Sequence, residues 1–215
     1  MGIELEKGDA MEPIILPEPK KSGGMPLMEA ISLRQTNRNI GPREIPLKVL
    51  SNLLWAAFGI NREKASFKKS GRTAPSASNS QEIDLYVALK SGLYVYDAVS
   101  HQLKPLSEGD FRMYSGHRYA HDLIKHTPLN IFYVVDFSQY DLGPDQPDPH
   151  IGEPEVQKSY YFTDTGFIAQ NVNLFAASEG LASWFHNCEK ESIRDKFNLR
   201  PTQRILFAQT IGYPL

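Results

Sequence analysis

Apolar residues recur at helical spacing in four segments of the chain. Residues 47–58 carry them at positions three and four apart after Pro46, which predicts a helix with one face on the core. Residues 27–31 predict a short helix, and residues 160–181 predict the longest one. This longest segment is apolar on more than one face, so we expect it to be buried on more than one side. Residues 189–198 predict a last helix.

Strand patterns occupy the middle and the end of the chain. Residues 83–89 alternate apolar and polar side chains, and Gly92 separates them from residues 93–96, which predicts a hairpin. Further strands are predicted at residues 101–103, 129–135 and 205–211. The second of these is almost continuously apolar, as is typical of a central strand covered on both faces.

The two ends of this pattern differ in character. Residues 1–24 contain several prolines and glycines without a sustained period, which predicts an N-terminal arm that lies on another part of the protein. Residues 25–215 are predicted to form a single domain. Residues 138–158 are rich in acidic residues and proline and are too long for an ordinary connection, so they are a candidate lid or partner-wrapping loop.

Composition narrows the class of protein. The chain has 215 residues, is 41% hydrophobic and carries a formal net charge of −2, so it can build a core but offers no net basic surface to nucleic acid. A single cysteine cannot form an internal disulfide, which fits a reducing compartment. The sequence contains neither a leader pattern nor a run of about 20 apolar residues. We therefore expect a soluble cytoplasmic protein that does not interact with membranes.

Two polar segments suggest a binding site. Residues 34–38 place two guanidinium groups and a hydroxyl within five positions, which suits a phosphate and an electron-rich ring. Residues 73–81 are dense in hydroxyl and amide groups. Together they predict a site for a phosphorylated, partly planar cofactor. The glycine patterns of dinucleotide folds and P-loops are absent from the sequence, so another kind of fold must hold it.

Two other groups of residues are candidates for a metal site and for a nucleophilic thiol. His117 and His121 are four positions apart, but Arg118 stands where a zinc protease places its general base, so an exposed helix face is the preferred interpretation and no metal is predicted. Cys188 follows His186 closely, which raises the alternative of a nucleophilic thiol. A buried structural cysteine is the preferred interpretation there too.

The chain after Pro17 resembles the nitroreductase family of FMN-dependent oxidoreductases, and most closely its SagB-type dehydrogenase branch. The motifs that carry the resemblance are Arg34-x-Thr36-x-Arg38, residues 53–59, residues 72–77 with Asn79, residues 92–97, residues 101–103, residues 166–171, residues 179–183 and residues 212–214. Each motif alone is loose, but their common order along the chain is specific.

The resemblance implies an α+β fold with a central, mainly antiparallel sheet flanked by helices, assembled as an intertwined homodimer with two FMN sites at the interface. The implied cofactor-binding residues are Arg34, Gln35, Thr36, Arg38, Pro75, Ser76, Ala77, Asn79, His186, Asn187 and Cys188. Arg34 would hold the phosphate, and Arg38 would lie against the N1/O2 edge of the isoalloxazine. The turn at 75–79 would come from the other subunit, and a backbone N–H within 186–188 would face flavin N5.

The implied activity is ping-pong electron transfer from NAD(P)H or a reduced substrate to a nitro compound, a quinone or an azoline-type substrate, so the substrate is a small molecule or a peptide. For azoline oxidation a base could come from Lys158, Tyr160 or Tyr161, although these are also ordinary residues for a helix start. Many family members continue into a Lys/Arg pair where this sequence stops at Leu215. Either another basic residue assists Arg34 at the phosphate, or FMN binds less tightly than is usual in the family. The alternative to an enzyme is a flavin-binding protein without efficient turnover, such as a sensor or carrier.

Overall fold

The computed structural model describes residues 11–116, 120–141, 143 and 148–215. The α-helices are α1 (Leu27–Leu33), α2 (Leu47–Phe58), α3 (His121–Ile124), α4 (Pro154–Ser178) and α5 (Glu191–Arg194). The strands are β1 (Ile14–Ile15), β2 (Ile60–Arg62), β3 (Gly71–Arg72), β4 (Ile83–Leu89), β5 (Gly92–Asp97), β6 (Gln102–Glu108), β7 (Leu129–Asp136), β8 (Ala182–His186) and β9 (Gln203–Gly212). Short 3-10 turns occupy Ser66–Lys68, Ala77–Asn79, Arg112–Ser115 and Phe137–Tyr140.

Seven strands form one sheet in the order β1-β6-β5-β4-β7-β9-β8, and every neighbouring pair is antiparallel. β2 and β3 form a separate hairpin. β7 pairs with β4 on one side and β9 on the other, and all eight of its residues are buried. The predicted α+β fold with a central antiparallel sheet is therefore confirmed. The predicted hairpin is confirmed too, as the antiparallel pair β4–β5.

The sheet has a different cover on each face. Alternate β7 residues such as Ile131 and Tyr133 join α2 and α4 in the larger cluster of buried side chains. The residues between them, Phe132 and Val134, face a smaller cluster built around Phe197. The ring of Phe197 meets that of Phe132 edge-on, with centroids 4.7 Å apart. Both faces of the sheet are thus buried, which explains the continuous apolar run of β7.

The described part of the N-terminal segment lies along α2 and β6. Ile14 and Ile15 pair with β6. The backbone N–H of Lys20 donates to the Asn52 side chain over 2.8 Å, and the hydroxyl of Ser51 donates to the carbonyl of Pro17. Hydrogen bonds at several points therefore hold residues 14–20 to the body of the protein.

Two predicted helices have different bounds in the structure. α4 begins at Pro154, earlier than predicted, because the polar residues of its first two turns hide the apolar period while proline suits the first helical turn. It ends before Gly180, whose φ of +66° permits the bond from the N–H of Leu181 to the carbonyl of Ala176. Of the helix predicted at 189–198, only the single turn of α5 is helical. Residues 195–198 form non-helical turns instead, and these place Phe197 in the core.

The segment predicted as a lid is partly regular. Residues 137–140 form a 3-10 turn, and residues from 154 onward belong to α4. Residues 142 and 144–147 lie outside the described residues. Among the helices of the described ranges, none is both long enough and apolar enough to cross a membrane.

Candidate functional site

The arginine-rich segment runs along the outer edge of the sheet. α1 ends at Leu33, and the chain then turns so that the N–H of Asn37 donates to the carbonyl of Ser183 in edge strand β8, over 3.0 Å. Gln35, Thr36 and Arg38 are exposed and Arg34 is half-buried. The segment thus fixes its backbone on β8 while its polar side chains face outward.

Arg38 lies beside two aromatic residues of β8. Its guanidinium carbon is 5.3 Å from the ring centroid of Trp184, a cation–π distance. The rings of Trp184 and His186 are 4.3 Å apart. Burial, followed by the nearby charge of Arg38, lowers the pKa of His186. The structure therefore brings together Arg38 and His186, which the sequence assigned to one site from opposite ends of the chain.

The two guanidinium groups of the segment are available to a ligand. Within the ranges that the structure describes, neither Arg34 nor Arg38 forms a side-chain hydrogen bond or an ion pair. Unpaired guanidinium groups beside an exposed threonine hydroxyl suit an anion with several oxygens, and the neighbouring indole suits a flat ring. The chemistry of these donors fits a phosphorylated planar cofactor.

The three residues that follow β8 have distinct environments. His186 is buried, Asn187 is exposed and Cys188 is buried. Burial raises the pKa of the Cys188 thiol to about 12. The thiol is therefore protonated at neutral pH, and the alternative of a nucleophilic cysteine loses its chemical basis.

The turn at 75–81 is held in a strained conformation by its own side chains. Ser78, Asn79 and Gln81 have φ values of 51°, 51° and 57°, which is unfavourable for residues other than glycine. The amide of Asn79 donates to the carbonyls of Ser66 and Ser70. The side chains of Asn79 and Gln81 also bond to each other. The side-chain amide hydrogens of Asn79 therefore stabilise the loop itself.

Among the predicted residues of this turn, Pro75 is exposed, whereas Ser76, Ala77 and Asn79 are half-buried. The hydroxyl of Ser76 accepts from the N–H of Gln81 over 3.0 Å, so it too stabilises the turn. Of the four residues predicted here, Ser76 and Asn79 thus shape the loop, and Ala77 uses its backbone N–H and carbonyl within the protein, whereas Pro75 offers exposed surface.

The two halves of the predicted site are apart within one chain. The turn is anchored on α4 by the N–H of Ala77, which donates to Asp164 over 2.8 Å. The arginine segment reaches Ser183, whose hydroxyl donates to Asn173 of α4 over 3.0 Å. Asn173 lies nine positions after Asp164 along α4, a rise of about 13 Å. No hydrogen bond or ion pair among the described residues joins the two segments.

A pair of buried carboxyl groups lies beneath the turn and was not predicted. Glu82 is fully buried and accepts from the hydroxyl of Ser80 over 2.6 Å. Asp164 is 3% exposed. Burial, followed by the charge of Glu82, raises the pKa of Asp164 to about 8. The signal that could have revealed them is the presence of single acidic residues beside apolar runs at 83–89 and 160–181.

The candidate bases at the start of α4 are already engaged. Lys158 lies 3.8 Å from Glu155, one turn earlier. The hydroxyl of Tyr160 donates to Asp148 over 2.7 Å, and this bond raises the pKa of Tyr160. Tyr161 is buried against Phe137. These contacts match the ordinary roles of residues near a helix start.

Histidines predicted to lie on one helix face are only partly described. His117 lies outside the described residues, and His121 begins α3. Across the described ranges, no group of three or more His, Cys, Asp or Glu side chains is arranged to hold a metal ion.

A cavity of about 820 Å³ lies between the N-terminal segment, the β2–β3 hairpin and the turn after β5. Trp55, Arg62 and His101 are among the residues that line it. None of the residues predicted to bind a cofactor does so. The cavity is thus separate from the arginine-lined edge of β8.

The fold belongs to the class of α+β proteins with a central antiparallel sheet and a long buried helix. The model of the nitroreductase family matches residues 31–213, and the chain belongs to this family of oxidoreductases. A crystal structure from Ralstonia eutropha JMP134, provisionally named a nitroreductase, is 33% identical with a TM-score of 0.83, and the match covers 97% of this chain and 92% of that one.

Two further relatives are more distant. A protein of Methanocaldococcus jannaschii, also provisionally named a nitroreductase, is 26% identical over 182 residues, which is 82% of this chain and 83% of the relative. A chain of the Escherichia coli microcin synthetase McbBCD complex, solved with truncated pro-MccB17 bound, is 16% identical with a TM-score of 0.65. That match covers 96% of this chain and 78% of the other, and it shows a shared fold.

Proposed function

We propose that this protein is an FMN-dependent oxidoreductase of the SagB-type branch that passes electrons from NAD(P)H or a reduced substrate to a small organic acceptor. The observation that carries the proposal is the pair of unpaired guanidinium groups, Arg34 and Arg38, at the edge of β8 beside Trp184. Bound FMN would supply the hydride chemistry. The residues of the chain bind the cofactor, orient it and exclude water.

Each residue type suits a different part of the cofactor. Arg34 and Thr36 are offered to the phosphate, because a guanidinium and a hydroxyl donate to several oxygens at once. Arg38 is offered to the ring edge that becomes negative on reduction, since its charge is already held near the aromatic side of the site by Trp184. A backbone N–H after β8 is offered to N5.

The SagB-type resemblance also allows azoline-type peptide substrates, but the contacts at the start of α4 favour small molecules. Azoline oxidation needs a base to take a proton as the hydride leaves. Lys158 faces Glu155, and the hydroxyl of Tyr160 is committed to Asp148. Lys158 and Tyr160 thus both have acidic partners that a substrate would have to displace.

Purified protein should carry FMN. We expect a yellow protein whose chromophore, released by denaturation, is identified as FMN by chromatography, and which oxidises NAD(P)H with a quinone or nitroarene faster than free FMN does. Colourless protein that takes up no added FMN would contradict the proposal. Bound FMN without turnover above the free cofactor would instead support the alternative, a flavin-binding sensor or carrier.

We also propose a homodimer, in which the turn at 75–79 of one subunit reaches the arginine segment of the other. The support is an apolar surface on α1 and α4. Met28 and Ile31 of α1 are 75% and 47% exposed, and Phe167 of α4 is 45% exposed. Large apolar side chains so exposed on neighbouring helices are typical of an interface.

Sedimentation at micromolar concentration should give about 49 kDa, twice the 24.3 kDa of one chain. Phe167→Asp should yield monomers that lose FMN, because a charge would be buried in the interface. Leu123→Asp is the matched control, since Leu123 is 44% exposed on α3, which contacts the Arg112–Ser115 turn. A wild-type monomer that is folded and loaded with flavin would refute the dimer.

A further inference from the structure

His186 is buried at the end of β8 with both ring nitrogens hydrogen-bonded. Nδ1 lies 2.9 Å from the carbonyl oxygen of Asn187, and Nε2 lies 2.9 Å from the hydroxyl of Thr210. A carbonyl oxygen can only accept, so Nδ1 must carry the proton and donate to Asn187. Burial lowers the pKa of His186 while the bond to Asn187 raises it, and the hydroxyl of Thr210 donates its own hydrogen to Asn130.

This bond fixes the peptide group that joins Asn187 to Cys188. A peptide bond is planar and trans, so its C=O and N–H point in opposite directions. Because the carbonyl of Asn187 is held against the imidazole, the N–H of Cys188 must point away from it. In the described part of the chain, this N–H donates no hydrogen bond, although Cys188 is only 2% exposed.

A nearly buried backbone N–H without a partner is rare, because its desolvation is not compensated. The N–H of Cys188 is therefore a donor that is ready for a ligand acceptor. Cys188 follows His186 by two residues, and His186 lies beside Trp184 and Arg38.

We propose that His186 is a positioning residue, whose Nδ1–H holds the Asn187 carbonyl so that the Cys188 N–H is aimed at N5 of bound FMN. The inference rests on the proposed function and deepens it, since it gives a role to a side chain whose identity would otherwise not matter. It also predicts that the Nε2 contact with Thr210 contributes to stability alone.

Two substitutions of His186 separate these contacts. In His186→Asn, the amide nitrogen is attached at Cγ, like Nδ1, and keeps the bond to Asn187. In His186→Gln, the amide nitrogen lies one atom further out, like Nε2, and keeps only the contact with Thr210. Thr210→Val is the matched control, because it removes the Nε2 partner with little change in shape and leaves the Asn187 contact intact.

The readouts are the affinity for added FMN and the midpoint potential of the bound flavin in the full-length protein, with the melting temperature as a check of folding. We expect His186→Gln to bind FMN about two- to tenfold more weakly and to shift the potential. His186→Asn should stay close to wild type in both quantities. Thr210→Val should lower the melting temperature without moving the potential.

The position of the proton on His186 can be read without flavin. The ¹⁵N shifts of the ring in the FMN-free protein should show hydrogen on Nδ1, and hydrogen on Nε2 alone would overturn the inference. Equal potentials in the Gln, Asn and wild-type proteins would also overturn it, while leaving the proposed function intact. A wild-type protein that takes up no FMN would instead overturn the proposed function together with this inference.

Discussion

Replacing Arg34 by alanine is expected to weaken FMN binding by about ten- to a hundredfold. A charge-assisted hydrogen bond to phosphate contributes on the order of 1.5–3 kcal/mol, and the described residues offer Arg34 no acidic partner that would compete for it. The phosphate does not change charge when the ring is reduced. Flavin that still binds to this variant should therefore keep nearly its original midpoint potential.

Arg38→Ala should have the opposite pattern. The guanidinium favours the reduced ring, which is negative, more than the oxidised ring, which is neutral, so its loss should lower the midpoint potential and make the flavin harder to reduce. Affinity for oxidised FMN should fall less than in Arg34→Ala. Titration of the FMN-free protein and spectroelectrochemistry of the loaded protein measure the two quantities.

A third arginine provides the control for both variants. Arg43 is exposed and lies 4.0 Å from the ring centroid of Tyr213, so it resembles Arg38 in its aromatic contact but stands outside the segment. Arg43→Ala should leave affinity and potential unchanged. If Arg34→Ala and Arg38→Ala altered both quantities alike, or neither, the separate roles assigned to these two residues would be wrong.

The sequence predicted those elements of the fold whose apolar pattern is local. α2, the β4–β5 hairpin and β7 lie close to the predicted positions, since a helix period, an alternation and a continuous apolar run are direct consequences of burial. The start of α4 was missed because its first turns are polar, and the extent of α5 was overestimated because tertiary packing of Phe197 replaced helix propagation.

For the candidate site, the sequence predicted residues but not their contacts. The segment 34–38 is recognisable alone, because its chemistry lies within five consecutive positions. The clamp between His186 and Asn187 depends on a buried ring orientation, which no periodicity encodes. The pairing of Glu82 with Asp164 joins a strand start to the middle of a distant helix, so only the folded chain reveals it.

That buried pair leads to a prediction about stability. The pKa of Asp164 is raised from 3.8 to about 8 in the folded protein, so the folded state keeps a proton that the unfolded chain has released above about pH 4. The folded state then binds more protons than the unfolded state across this window. The free energy of unfolding should consequently fall as the pH rises from about 4 to about 8.

Asp164→Asn should remove this loss of stability at high pH. The asparagine carbonyl can still accept from the N–H of Ala77, and its amide can donate to Glu82 in place of the carboxyl proton. At pH 9 we expect the variant to be more stable than wild type by on the order of 2 kcal/mol, whereas at pH 4 the two should be nearly equal. Urea unfolding of the FMN-free proteins at several pH values measures the difference.

Asp122→Asn is the matched control, because Asp122 is an exposed aspartate on α3 whose bond to Lys125 lowers its pKa. It should show no gain at high pH. Glu82→Gln should also reduce the pH dependence, since the charge of Glu82 is one cause of the raised pKa of Asp164. If wild type and Asp164→Asn gave parallel stability curves from pH 4 to pH 9, Asp164 would not hold a proton in the folded state, and the turn at 75–79 would rest on an ionised aspartate.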